Sequence, residues 1–335
     1  MNCPLQGERK GSVNRIMREL NGISVVVPFL NEEDGIRKFC NTIDKYAEKF
    51  DFFLELIFVD DGSTDSSVEI LKQCAFQNIK QVKLVKFSKN FGSHAAIRAG
   101  LQYASYEIST WLGSDLQEPL ELLELSYEKI REGYNAVYIE KKSIKVSKAN
   151  RIFSRIYSWM MRKYAVESYS SGGISTIVFD AKVRKYLNEN MEANSSIMLQ
   201  AMDAGFKSTV LSMDFHERSA GVSKWTLSKK MKLFIDSFVA FSFAPIRLVS
   251  IVGVFIFCIG VVIGISTIVN KLINPNVPVG YSTLASITAL GFGITNISLG
   301  IIAEYLWRTY DAARKRPVFI VSDVVTIKEC ESDTQ

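Results

Sequence analysis

Cysteine is scarce and never patterned. The five residues Cys3, Cys40, Cys74, Cys258 and Cys330 are scattered through 335 positions. None forms a Cys-x-x-Cys pair, which argues against a disulfide framework or a zinc module and fits a reducing compartment. No basic run is interleaved with aromatics, so nucleic acid is not an expected partner despite a formal charge of +5. The first twenty residues, MNCPLQGERKGSVNRIMREL, lack the apolar core of a signal peptide. Glycine and proline are present at ordinary levels and 47% of the chain is hydrophobic, which excludes a disordered or collagen-like protein. The most telling absence is local. Residues 248–303 contain a single charged side chain, Lys271, although 22% of the whole chain is charged. A uniform water-soluble globule would not be divided in this way.

Within that stretch, 248–269 and 281–303 are uncharged runs. As helices each would be roughly 30 Å long or slightly more, enough to cross the hydrocarbon layer of a membrane. The link 270–280 is short and carries two prolines, so a two-helix hairpin is expected. Arg247 precedes it, and Arg308, Arg314, Lys315 and Arg316 follow it. This basic flank puts both ends on the cytoplasmic side of a plasma or inner membrane. Residues 225–243 (WTLSKKMKLFIDSFVAFSF) lead into the first run and read as an interfacial amphipathic helix, taken as 225–247. A basic amphipathic stretch, 147–164, fits either an interfacial helix or a core-facing one.

From residue 23 onward, apolar runs alternate with helical patterns. ISVVVP (23–28), FLELIFVD (53–60), VKLVKF (82–87), EISTWLG (107–113) and NAVYIE (135–140) read as buried strands. Helical stretches fall near 33–49, 65–77, 93–105 and 119–132. The alternation predicts an α/β domain with a parallel sheet covered on both faces, whose ligands sit at the carboxyl ends of the strands. Three such ends are chemically loaded. The first reads PFLNEED, with Pro28 and Glu32. The second reads VDDGSTD, where Asp60 and Asp61 follow a buried strand directly. Helix capping accounts for Ser63 and Asp65. Two consecutive aspartates can also accept hydrogen bonds from a nucleobase imide or ribose hydroxyls, and spacing alone does not choose between turn and ligand site. The third reads GSDLQEP, where Asp115, Gln117 and Glu118 are suited either to Mg²⁺ or Mn²⁺ or to a polar helix start. Further on, HERSAGVSKW places Arg218 and Lys224 around a small-residue turn that can neutralise a diphosphate or simply be solvated.

Taken in order, PFLNEED, VDDGSTD, KNFGSHAA, SDLQEP and RSAGVSKW, followed by IAEYLWRTYDAARKRPVFIV, resemble glycosyltransferase family 2. More narrowly they resemble its polyisoprenyl-phosphate glycosyltransferases, such as dolichol-phosphate mannose synthase and the bactoprenol glucosyltransferases. The resemblance covers roughly residues 22–321. It implies a GT-A (Rossmann-like) nucleotide-sugar domain over 22–224, after a polar tail (1–21). Interfacial helices, the membrane hairpin and a cytoplasmic tail (304–335) then follow. It implies inverting transfer of a sugar, with glucose from UDP-glucose expected, to undecaprenyl or another polyprenyl phosphate for surface-glycan or O-antigen modification. Pro28, Glu32, Asp60 and Asp61 would hold the nucleotide, Asp115 and Gln117 the metal, and Arg218 and Lys224 the phosphates. Asp115, Arg218 and Lys224 would thus carry the catalysis. Self-association into a homo-oligomer is compatible with this arrangement.

Two departures stand out. The family usually has Asp-x-Asp where this chain has Gly113-Ser114-Asp115, and Gly-Asp-Phe-Arg where it has Gly172-Gly173-Ile174-Ser175. Lys141 and Lys142 stand where the family has arginines. The missing acid need not be a lost base, because a phosphate monoester is already anionic and nucleophilic. A processive polysaccharide synthase is the second expectation, though the chain lacks Gln-x-x-Arg-Trp. A catalytically impaired membrane-anchored homologue is the third.

Overall fold

The computed structural model describes residue 18, residues 20–142, 174–192, 196–215, 280–314 and 316–329, and scattered positions within 159–163 and 251–273. Its centre is an eight-stranded sheet in the order β7-β5-β6-β4-β1-β2-β3-β8. The chain lays down β1 (Gly22–Phe29), α1 (Ile36–Ala47), β2 (Phe53–Asp60), α2 (Ser67–Lys72), β3 (Gln81–Phe87) and α3 (Ser93–Gln102). There follow β4 (Ile108–Trp111), α4 (Glu121–Arg131), β5 (Ala136–Lys141), β6 (Ile174–Asp180), α5 (Ala181–Glu189), α6 (Ile197–Asp203) and β7 (Ser208–Met213). A 34-residue helix, α7 (Tyr281–Arg314), then leads to β8 (Val321–Lys328).

The strands expected from the apolar runs all form, and both faces are covered. Ile36, Phe39, Cys40 and Ile43 recur at helical spacing along α1 and bury against Val25, Leu56 and Phe58. Leu71 of α2 and Leu122, Leu123 and Ile130 of α4 join the same layer. On the other face, Ala96, Ala99 and Leu101 of α3, Val183 and Leu187 of α5 and Leu199 of α6 pack on Val26, Val59 and Phe179.

The sheet is mixed, and this corrects the expectation of a parallel one. β1 pairs in parallel with β2 and β4, and β2 with β3. β6 runs antiparallel between β4 and β5, while β8 runs antiparallel against β3. β6 displaces β5 from β4, because its Ile177, Val178 and Phe179 are buried on both faces and demand a central position. The sequence reading did not identify β6, β7 or β8. The last of these also revises the boundary of the tail: 321–328 is an edge strand of the catalytic sheet.

The predicted hairpin is only partly within view. Its second segment lies inside α7. Positions described in the first, including Ile251, Phe255, Val262 and Ile265, are helical with exposed side chains. Among the described residues, no helix is long and apolar enough to cross a membrane. The amphipathic stretch 225–247, most of 147–164, and Arg218 and Lys224 lie outside the described residues.

Candidate active site

The chain reverses direction across the sheet at β1: β2 and β3 lie on one side, β4 on the other. Such a switch point opens a crevice at the carboxyl ends of the strands. Phe29 is level with Asp60 of β2, and the Leu112 amide donates to the carbonyl of Val26. The Asp60–Asp61 pair and the Gly113–Glu118 turn therefore flank the end of β1 on opposite sides.

The loops on the β2 side are stitched together. The Asn31 amide donates to Ser63 Oγ at 3.0 Å, and the Thr64 amide donates to Asn31 Oδ1 at 2.9 Å. The Glu32 amide reaches Ser67 Oγ at 2.8 Å, and the Ser66 amide reaches Glu33 Oε2 at 3.1 Å. Asn31 adopts φ 53°, a left-handed conformation that asparagine tolerates better than most residues. Pro28, next to last in β1 and level with Val59, leads the chain into this loop.

Asp60 and Asp61 are 2% and 4% exposed, respectively. Asp60 Oδ1 accepts from the Ser63 amide at 2.8 Å. Asp61 holds the next loop: Oδ1 accepts from the Phe91 amide at 2.7 Å, and Oδ2 from the Gly92 amide at 3.0 Å. Burial pushes the Asp61 carboxyl above its ordinary range, the two amides oppose the shift, and the Asp60 charge adds to it. Gly62 makes the approach possible. Its φ is +80°, and a Cβ there would lie 2.8 Å from the Lys89 carbonyl carbon. The consecutive aspartates thus serve both as turn and as brace, with Asp61 tying the β2 end to the β3 end.

On the β4 side, Gln117 Nε2 donates to Asp115 Oδ2 at 2.5 Å and its amide to Oδ1 at 3.4 Å. Leu116 between them has φ 53°. This costs about 1–2 kcal/mol for an L-residue, and packing of Leu116 against the core holds it in place. Glu118 curls back, so that Oε2 accepts from the Gly113 amide at 3.3 Å. A Cβ built on Gly113 would sit 2.9 Å from Asp115 Oδ1 and 3.4 Å from Glu118 Oε2. Two carboxylates therefore converge on the space that the missing side chain leaves. Burial raises the Glu118 carboxyl, the Asp115 charge raises it further, and Lys141 at the end of β5 opposes both. Among the described residues, no group of three or more His, Cys, Asp and Glu forms a metal cage. The oxygen donors at hand are Asp115, Glu118 and the Gln117 side chain.

The structure places Asp60 with Asp61 on one side of the end of β1 and Asp115 with Gln117 on the other, with Pro28 in β1 itself and Glu32 on the loop that follows it, on the β2 side. Sequence reasoning undervalued Glu118, whose place beside Gly113 shows only when the turn folds back. It also missed Ser67, whose hydroxyl fixes the Glu32 backbone.

An α/β sheet with acidic turns around its switch point is the arrangement in which such folds bind ligands, and it accords with a GT-A-like nucleotide-sugar domain. Residues 24–189 match the model for glycosyl transferase family 2. The uncharacterized glycosyltransferase YkcC of Bacillus subtilis (strain 168) is 33% identical over 303 residues, covering 89% of this chain and 92% of the relative. The undecaprenyl-phosphate 4-deoxy-4-formamido-L-arabinose transferase of Proteus mirabilis (strain HI4320) is 28% identical over 313 residues, 93% of this chain and 96% of the relative. Among solved structures, glucosyl-3-phosphoglycerate synthase from Mycobacterium tuberculosis is similar at 17% identity and a TM-score of 0.44. That match covers 65% of this chain and 78% of the other. The chain belongs to glycosyl transferase family 2 and is a sugar-transferring enzyme.

Proposed function

We propose that this enzyme is held at a membrane and moves a sugar from a nucleotide sugar to a polyprenyl phosphate, with inversion at the anomeric carbon. UDP-glucose is the donor and undecaprenyl phosphate the acceptor in this reading, and surface-glycan or O-antigen modification is the setting. The observation that carries it is the near-complete overlap with relatives named undecaprenyl-phosphate transferases. The alignment to the Proteus mirabilis protein covers 93% of this chain. It therefore extends beyond the family 2 domain at 24–189 into the chain's apolar part. Exposure of Leu284, Phe292, Ile297, Ile302 and Leu306 along α7 supports lipid contact.

Asp60, Asp61 and the 28–32 loop bind the nucleotide in this reading. The acceptor phosphate brings its own negative charge, so it needs neutralisation and alignment rather than a base. Lys141, Lys142 and basic groups of 147–164 supply that charge. Arg218 and Lys224 take the leaving diphosphate, a proposal that rests on the sequence alone.

The donor set Asp115, Glu118 and Gln117 offers only oxygen, which suits Mg²⁺ or Mn²⁺, and the space over Gly113 is open to both carboxylates. When bound there, a divalent cation would offset charge on the leaving diphosphate.

Membranes containing the enzyme, given undecaprenyl phosphate and radiolabelled UDP-glucose with Mn²⁺, should yield a lipid-extractable product. Product with another donor would change the sugar. No lipid-linked product with any common nucleotide sugar would overturn the acceptor.

A further inference from the structure

We infer that the C-terminal strand β8 positions the nucleotide site, and that Phe319 is the positioning residue. The inference rests on reading the Asp60–Asp61 end of β2 as the nucleotide site. The Phe319 ring stacks on Phe87, the last residue of β3, with centroids 5.4 Å apart and planes at 12°. Phe87 meets Phe91 edge-on at 5.5 Å and 85°. The Phe91 amide is the one that binds Asp61 Oδ1 at 2.7 Å. A continuous path of contacts therefore runs from the segment after α7 to the buried aspartate.

Backbone contacts run in parallel with the rings. The Ser88 amide donates to the Ile320 carbonyl at 3.2 Å, and Ser322 Oγ donates to the Lys86 carbonyl at 3.1 Å. Without β8, β3 would be the edge of the sheet, and its end would lose these partners. The turn that follows, residues 89–92, already lies against Gly62 too tightly for a side chain there. Motion of the turn would be passed directly to the Asp60–Ser63 loop.

The test is Phe319→Ala in the full-length protein, with Phe319→Tyr as the conservative variant. Lys328→Ala is the control, because Lys328 lies level with Val82 near the start of β3, at the opposite end of the strand pair from Phe87. Titration calorimetry with UDP, GDP and dTDP reads affinity, and hydrogen exchange of the 88–93 peptide reads the clamp. Phe319→Ala should weaken the preferred nucleotide about three- to tenfold, the scale of one lost aromatic pair. It should raise KM for the donor in step, leave kcat within about twofold, and speed exchange at 88–93. Phe319→Tyr and Lys328→Ala should stay near wild type. If Phe319→Ala does not fold, Phe319→Leu replaces it with the same expectations. Unchanged affinity in a folded variant, or unchanged exchange at 88–93, overturns the inference. If the wild type binds none of the three nucleotides, the nucleotide reading itself fails and takes the inference with it.

Discussion

Replacing Gly113 tests the acidic turn most directly. Position 113 is where most family members carry an acid, so Gly113→Asp looks like a repair. The structure predicts otherwise. Gly113 lacks a left-handed φ, so its backbone accepts an alanine, and the consequence is steric and local. The new Cβ would lie 2.9 Å from Asp115 Oδ1, and ordinary contact begins at 3.4 Å. The Asp115 carboxylate must then retreat by about half an ångström, toward the limit at which a designed ligand set stops working. Displacing a metal ligand's support commonly costs ten- to a hundredfold in affinity. Gly113→Ala should therefore weaken Mn²⁺ binding about tenfold, measured by the EPR signal of free Mn²⁺ with UDP present. Its thermal stability should hold or rise slightly, because alanine restricts the unfolded chain. Gly113→Asp adds a third carboxylate, and two like charges 4 Å apart repel by about 4 kcal/mol at a surface-like dielectric. That variant should gain tight binding only when Glu118→Ala vacates the space. Tighter Mn²⁺ binding by Gly113→Asp alone, or unchanged binding by Gly113→Ala, would refute the assignment of Glu118.

Other expectations follow from the same structure. Glu55 is fully buried. It accepts from Lys83 Nζ at 2.8 Å and the Ser105 amide at 2.8 Å, and also from Ser24 Oγ. Glu55→Ala should cost about 3–5 kcal/mol in urea unfolding, because it strands the lysine. Among the described residues, His94 Nδ1 is buried without a hydrogen-bond partner, and burial, reinforced by the Arg98 charge, lowers its pKa from the usual 6.5. The unfolded chain then binds the extra proton first, so His94 contributes stability above pH 6.5 that is lost as pH falls through its lowered value. His94→Gln should flatten the drop in urea midpoint between pH 7.5 and pH 5.5. Gly62→Ala should destabilise by at least about 1–2 kcal/mol from its positive φ alone, and should weaken nucleotide binding in calorimetry.

How the chain reads depends on the range of the interactions involved. β1, β2 and α1 are legible because burial imposes a local period: Val25 and Val27 face one layer, Val26 the other, and Ile36, Phe39 and Ile43 line one helix face. The chemistry at the strand ends is legible because PFLNEED, VDDGSTD and SDLQEP each follow a buried strand at once. β6 is not legible, since Ile177 and Phe179 pack into one layer and Val178 into the other only once β4 and β5 stand on either side.

Local pattern and composition are enough to set the strand–helix alternation, the acids at the strand ends and the nearly uncharged stretch between 248 and 303. Those properties depend on neighbours a few residues away, or on composition alone. Tertiary structure decided that 321–328 leaves the tail to become the edge of the sheet. It decided that Asp61 braces a turn 30 residues away, and that Glu118 moves into the room left by Gly113. Each of these depends on atoms brought within about 3 Å by chain closure, and no period or motif in a linear sequence encodes such distances.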